Sequence, residues 1–358
     1  MSAEINDKRL QKEFTGISFS KYKKSDVKKQ LKQAILNNRI EQANYWCAEM
    51  VCAGHFLDIW ETIILISNKH IHYGNPKLPI YISMRFDNFK DVLMNGYVDN
   101  ELKMRNNSQI RRLFGEIISI LVFSQKKHSF DIYKIKQSDF DLTEINFRLK
   151  ADGLSYASEL FSKSDPKEIF IAMNELAFSI SKSNTNRNSS DACYWIDWII
   201  QFETISKKKK ELVLCDKRSN MPVSQKFQRD IIWIMWELFM SESRKNHPQI
   251  ITKILESLLT IFSLHYSSGV KKRRRYILYF IVSLLTEKVN INIPLYTDKN
   301  IIDGVVDKID LIYKDLKKNE ITPDTEYLFN GLKQNNTNLE KTIEKLDKLS
   351  STDFIPRR

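Results

Sequence analysis

Glycine and proline are scarce in this chain of 358 residues, at 9 and 8 respectively. All-β folds and glycine-rich nucleotide loops need these residues at their turns, so the shortage favours helices joined by polar loops. No G-x-x-x-x-G-K-[ST], G-x-G-x-x-G or G-x-S-x-G pattern occurs, and ATP-driven and hydrolase chemistry both lose support. Cysteine is confined to Cys47, Cys52, Cys193 and Cys215, without repeated C-x-x-C spacing, and the opening MSAEINDKRLQKEF holds no apolar signal segment. A reducing, cytoplasmic location is the expectation. The most apolar run, Tyr276 to Leu285, falls well short of the roughly 20 residues that a membrane span needs. It predicts a buried core helix and no membrane span.

What is present fits a folded globular protein: 42% of residues are hydrophobic, 28% charged and 11% aromatic, and the length suits two modules plus tails. A net charge of +12 attracts polyanions in a salt-dependent way. The chain is also rich in Ile, Lys and Asn, as A+T-biased codons would make it, so the charge argument is discounted accordingly.

Along the chain, residues 1–24 show no apolar period and read as a flexible arm, mobile or peripherally docked. Ser25 is the expected N-cap of a helix whose face carries Val27, Leu31, Ala34 and Ile35, ending near Asn37-Asn38. A second helix follows from Glu41, with a break or close contact at Gly54. Gly74, Pro76 and Pro79 then predict an ordered loop, and further helices complete a first module over 25–125. Residues 126–163 read as a basic connector with one short extended stretch. A second module over 164–290 opens on Asp165-Pro166-Lys167-Glu168, a capping pattern. Residues 291–358 form C-terminal helices, with Ile301, Ile302, Val305, Val306, Ile309 and Ile312, then Leu339, Ile343 and Leu346, as apolar positions, and a flexible tail.

Ala43-Asn44-Tyr45-Trp46 and Ala192-Cys193-Tyr194-Trp195 share one spacing, and each follows an amphipathic helix and precedes a basic, Pro-containing loop. That shared order predicts an internal duplication. The fold class expected is therefore all-α: two related helical modules packed as a multi-helix bundle with a helical C-terminal extension. Tyr45, Trp46, Tyr194 and Trp195 are assigned to the core, because paired aromatics on one helix face more often bury area than stack bases.

Three constellations carry chemistry. Carboxylates Glu49, Asp58, Glu61, Asp197, Glu203 and Glu237 lie among the aromatics; an acid-base enzyme would need Glu49 and Asp197 to line a common polar cleft, but these acids can equally cap helices or pair with Arg111, Arg112 and Arg229, and no D-x-D or E-x-x-H pattern accompanies them. Cys47, Cys52, His55, His70 and His72 have metal-ligand chemistry but lack the paired short spacings of zinc sites, so neither metal nor cofactor is expected. The densest signal is basic: Lys207, Lys208, Lys209 and Lys210, then Lys271, Lys272, Arg273, Arg274 and Arg275. Such clusters contact phosphates without reading sequence.

The helices ANYWCAEMVCAGHF and ACYWIDWIIQFE, within an Ile/Lys/Asn-rich helical chain, resemble uncharacterised helical proteins of nucleocytoplasmic large DNA viruses over residues 27–285. The resemblance implies a viral factory or virion and carries no active site. The expected function is a non-enzymatic helical scaffold engaging nucleic acid through its basic loops during replication, transcription or packaging. The rival is a protein-interaction adaptor or virion component built on two cyclin-like or other helical repeats, with a protein partner and no nucleic-acid binding.

Overall fold

The computed structural model describes residues 3–182, 184–185 and 187–322, and the expected helix around Leu339, Ile343 and Leu346 and the terminal tail lie outside them. Among the described residues the chain is all-α, with no strand and only an isolated bridge between Ile17 and Lys23. The fold divides into two compact units. One holds the described residues up to Ser67, then Met84–Lys126 and the described residues from Pro294 on; the other holds Asn68–Ser83 and Lys127–Ile293.

In the first unit, α1 (Lys24–Leu36) buries Val27, Leu31, Ala34 and Ile35 against α2 (Ile40–Cys52), the first AxYW helix. Ser25 lies inside the first turn of α1 and not at its cap, which is Lys23. Gly54, at φ +72°, closes α2 in a left-handed conformation, and a side chain there would collide with Gln11. Helix α3 (Phe56–Leu65) and the part of α4 (Leu78–Met94) from Met84 on then bring Phe56, Trp60, Phe86 and Phe89 together with Phe114 of α5 (Ser108–Phe123) in one aromatic cluster. The Asn107 side chain caps α5 by accepting the amides of Gln109 (2.8 Å) and Ile110 (3.2 Å).

The flexible arm expected over 1–24 is instead folded into this unit. Ile5, Phe14 and Phe19 are 2%, 0% and 0% exposed, and the Arg9 guanidinium lies 4.7 and 4.8 Å from the centroids of the stacked Phe14 and Phe19 rings while pairing with Asp7 at 2.6 Å. Sequence periodicity missed the segment because its three anchors are too widely spaced to make a helix face. Its backbone is also tied down: Ile5 exchanges hydrogen bonds with the Asn106 side chain, and Arg105 donates to the Asp7 carbonyl. Farther along the chain, Lys127–Ile293, including α6 (Leu142–Asn146), belong to the second unit, and the chain then returns to the first as α13 (Lys299–Asp307) and α14 (Ile309–Lys317). These pack on α5 and α2, so the described residues from Pro294 on belong to the first unit.

The Gly74/Pro76/Pro79 segment, which enters the second unit at Asn68, starts as a wide helical turn over Ile66–Ile71 and a 3-10 turn over His72–Gly74. Residues 127–163 form irregular backbone with 3-10 turns and the single-turn α6, and no strand is paired there among the described residues. Helix α7 (Phe170–Ile180) starts later than the capping pattern predicts. Asp165 serves elsewhere, accepting the Asp216 amide at 2.8 Å and pairing with Arg218 at 2.6 Å. Helix α8 (Ser189–Lys208), capped by Asn188, is the second AxYW helix. Around it are α9 (Ile232–Asn246), α10 (Gln249–Ser263), the single-turn α11 (Val270–Arg273) and α12 (Arg275–Thr286). Every residue of α12 from Tyr276 to Leu285 is buried, so the most apolar run of the chain is the core helix of this unit. No helix of the described residues is long and apolar enough to cross a membrane.

Candidate nucleic-acid interface

The basic surface is assembled at one end of α8. An α-helix places residues four apart on one face, so Glu203 reaches Lys207 in the next turn, at 2.5 Å. The other oxygen of the same carboxylate pairs with Lys271 of α11, whose ammonium is also held by Asp230 at 2.6 Å. Tyr266 donates to Asp230 at 3.0 Å, and Asp230 caps the start of α9 by accepting the Ile232 amide at 3.1 Å. Two cationic stretches separated by more than sixty residues of sequence are thereby fastened side by side through Glu203.

The nine cations expected to meet phosphate divide into two groups. Lys207, Lys208, Lys209, Lys210, Lys272 and Arg273 are exposed. Among the described residues the side chains of the last five form no ion pair. Burial and the neighbouring charges of Arg275, Lys208 and Lys207 depress the Lys272 pKa against the opposing pull of Glu203, so Lys272 feels the charges of Lys207 and Lys208 across the two stretches.

Lys271, Arg274 and Arg275 correct the sequence expectation, because each is occupied inside the fold. Lys271 is 2% exposed and neutralised by two carboxylates. Arg274 caps the C-terminus of α10, its Nη1 donating to the carbonyls of Ile261 (3.1 Å), Phe262 (2.8 Å) and Leu264 (2.7 Å). Arg275 donates to Asp197 at 2.8 Å. A run of five basic residues cannot all face water when the chain enters a buried helix within it; helical geometry turns some of them inward.

The AxYW residues form core contacts. Trp46 and Trp195 are each 1% exposed and meet the preceding Tyr45 and Tyr194 edge to face, at 5.3 and 5.2 Å between ring centroids. The aromatic stripe of α8 continues outward, however. Trp198 and Phe202 lie one turn apart with rings at 4° to each other and centroids 5.5 Å apart, and Phe140 covers them.

The carboxylates are held separately. Glu49 is fully buried and accepts hydrogen bonds from the Ser20 amide (3.0 Å) and hydroxyl, all within the first unit; burial raises its pKa despite these partners. Asp197 accepts from Tyr279, Arg275 and the Tyr133 amide, all within the second unit, and burial raises its pKa against their pull. The common cleft that an acid-base enzyme would need is not what these partners describe. Asp58 is paired with Lys24 and Lys28, both at 2.8 Å, and Glu237 with Arg218 at 2.7 Å.

The residues of metal-ligand type are likewise dispersed. Cys47 and Cys52 are buried, and burial pushes both thiols above their ordinary range. His55 Nε2 lies 2.6 Å from the Ile17 carbonyl, His70 faces His128 at 3.2 Å between their Nδ1 atoms, and His72 Nε2 lies 3.1 Å from the Ser283 hydroxyl. No cluster of three or more such ligands occurs among the described residues.

The sequence reading weighs Glu203 as an acid or base, a helix cap or an arginine partner and passes over Asp230, yet these two organise the surface. The Glu203–Lys207 half was legible as an i, i+4 pair; the Lys271 half depends on tertiary packing. Comparison with protein-family models, curated proteins and solved structures finds no match to this chain.

Proposed function

We propose that this protein is a non-enzymatic helical scaffold that binds nucleic acid, without reading its sequence, through Lys207, Lys208, Lys209, Lys210, Lys272 and Arg273. The observation that carries the reading is the Glu203 bridge, which gathers two cationic stretches into one surface while the buried cations are neutralised internally. Exposed lysines without ion-pair partners release counterions from a polyanion on contact, which is the physical basis of non-specific affinity. A duplicated AxYW module and a setting in a viral factory or virion belong to the same proposal. The first rests on the shared motif and the second on the family resemblance.

Filter binding across a salt series tests it. Charge reversal at Lys208, Lys209, Lys272 and Arg273 should abolish retention at low salt and flatten the dependence of log K on log salt by roughly 0.7–0.9 for each phosphate no longer neutralised. Retention unchanged by the reversal, or none by the unmodified protein, refutes the reading.

A further inference from the structure

The aromatic stripe of α8 runs straight into the basic surface. From Trp198, helical periodicity carries Phe202, Ile205 and Lys209 within roughly 40° of one face, with Lys209 about three turns on. Phe202 and Ile205 are half-buried, and Lys209 is exposed. The face thus offers two parallel rings at one end and unpaired ammonium groups at the other, the pairing of features that single-strand binders use.

Over the rings lie residues 137–147, QSDFDLTEINF, which contain three carboxylates and no Lys or Arg. Phe140 sits 4.8 Å from the Trp198 ring and 6.3 Å from that of Phe202, tilted to them by 38° and 37°, and the Trp198 indole N–H donates to the Asp139 carbonyl at 2.8 Å. The acids turn back on their own segment: Asp139 accepts the Lys136 amide and Asp141 caps α6 through Thr143. The flanks are anchored more firmly. Tyr133 is tied to Ser190 and, through its amide, to Asp197; Arg148 stacks on Tyr194, and Lys150 pairs with Asp191. Residues 137–147 therefore form a strap pinned at both ends, anchored farther along by the buried Ile145 and held on the α8 rings by one ring and one hydrogen bond, and they present to α8 what a nucleotide would: an aromatic plane on an anionic chain.

We propose that the strap is a displaceable internal mimic of the ligand, and that the ligand is single-stranded nucleic acid, whose bases replace Phe140 on Trp198 and Phe202 while its phosphates meet Lys209 and its neighbours. The inference rests on the polyanion reading above. It adds a distinction: bases in a duplex are already stacked on each other and cannot occupy the platform.

Oligo(dT) and a duplex of equal length, titrated into the full chain, test it. The other five tryptophans are at most 2% exposed, so oligo(dT) should quench emission that disappears in Trp198→Phe. Phe140→Ala should tighten oligo(dT) binding by about tenfold, and Phe202→Ala should weaken it by a similar factor, since one base–ring stack is of that order, with duplex affinity unchanged in both. Phe140 and Phe202 are half-exposed, and should Phe202→Ala fail to fold, Phe140→Ala decides alone. Equal effects on both nucleic acids, no effect of Phe140→Ala, or competition by poly-glutamate as effective as that by oligo(dT) overturns the strap and leaves the polyanion reading standing. Failure of both nucleic acids to bind at low salt overturns both readings.

Discussion

Replacing His72 by Asn should remove a large part of the protein's acid sensitivity. The imidazole is 1% exposed; its Nε2 faces the Ser283 hydroxyl, its ring packs on Phe280, and burial lowers its pKa from 6.5 to about 3. Below pH 6.5 the unfolded chain takes up a proton at this site that the folded chain refuses, so stability falls as pH falls through the window from 6.5 to about 3. Each pH unit within the window costs about 1.4 kcal/mol, which gives about 2 kcal/mol between pH 7 and pH 5 and a ceiling of about 5 kcal/mol near pH 3. Asparagine suits the test because His72 has φ +50°, a left-handed conformation that Asn tolerates. Its shorter side chain gives up the hydrogen bond to Ser283, a cost that does not vary with pH, and other titrating groups cancel when variant and parent are compared. Urea unfolding at pH 7, 6 and 5 measures the effect. The parent should lose about 2 kcal/mol more than the variant over that range. Parallel pH profiles would refute a neutral, buried imidazole, as would an NMR titration placing the His72 pKa near 6.5.

Three further outcomes follow from the packing. Phe14→Ala should destabilise the protein by about 3–5 kcal/mol in urea unfolding, as removal of a fully buried ring does; a floating arm would give no change. Arg274→Ala should cost about 2–3 kcal/mol in the same assay, because three carbonyls at the end of α10 lose a charged donor, whereas Lys272→Ala and Arg273→Ala should stay within about 0.5 kcal/mol. All four thiols should react with a disulfide reagent only after unfolding, since each is buried and burial raises every one of their pKa values, that of Cys215 to about 12; rapid modification of the native chain would contradict their burial.

Much of the helical framework was legible because it is local. The apolar period of α1, the break at Gly54 and the run from Tyr276 to Leu285 each reflect interactions within a few residues of chain, and α12 is buried where its composition placed it. The arm was not legible, since Ile5, Phe14 and Phe19 have no period and their partners Asn106 and Arg105 lie about a hundred residues away. Nor was the return of α13 and α14 to the first unit, which packs them with α2 and α5 far earlier in the sequence.

The basic residues show the same division at the scale of single side chains. Lys271 to Arg275 are five consecutive cations in sequence; in the fold, Lys271 is an internal counterion for Glu203 and Asp230, Arg274 a helix cap, Arg275 a partner of Asp197, and only Lys272 and Arg273 face outward. Sequence by itself determined that this chain is helical, rich in cations and built around buried Tyr-Trp pairs, because propensity, periodicity and charge are properties of neighbouring residues. Which cations remain at the surface, and that Lys207–Lys210 stand beside Lys272 and Arg273, was decided only by tertiary packing. A buried charge must find a partner, and that partner can come from anywhere in the chain.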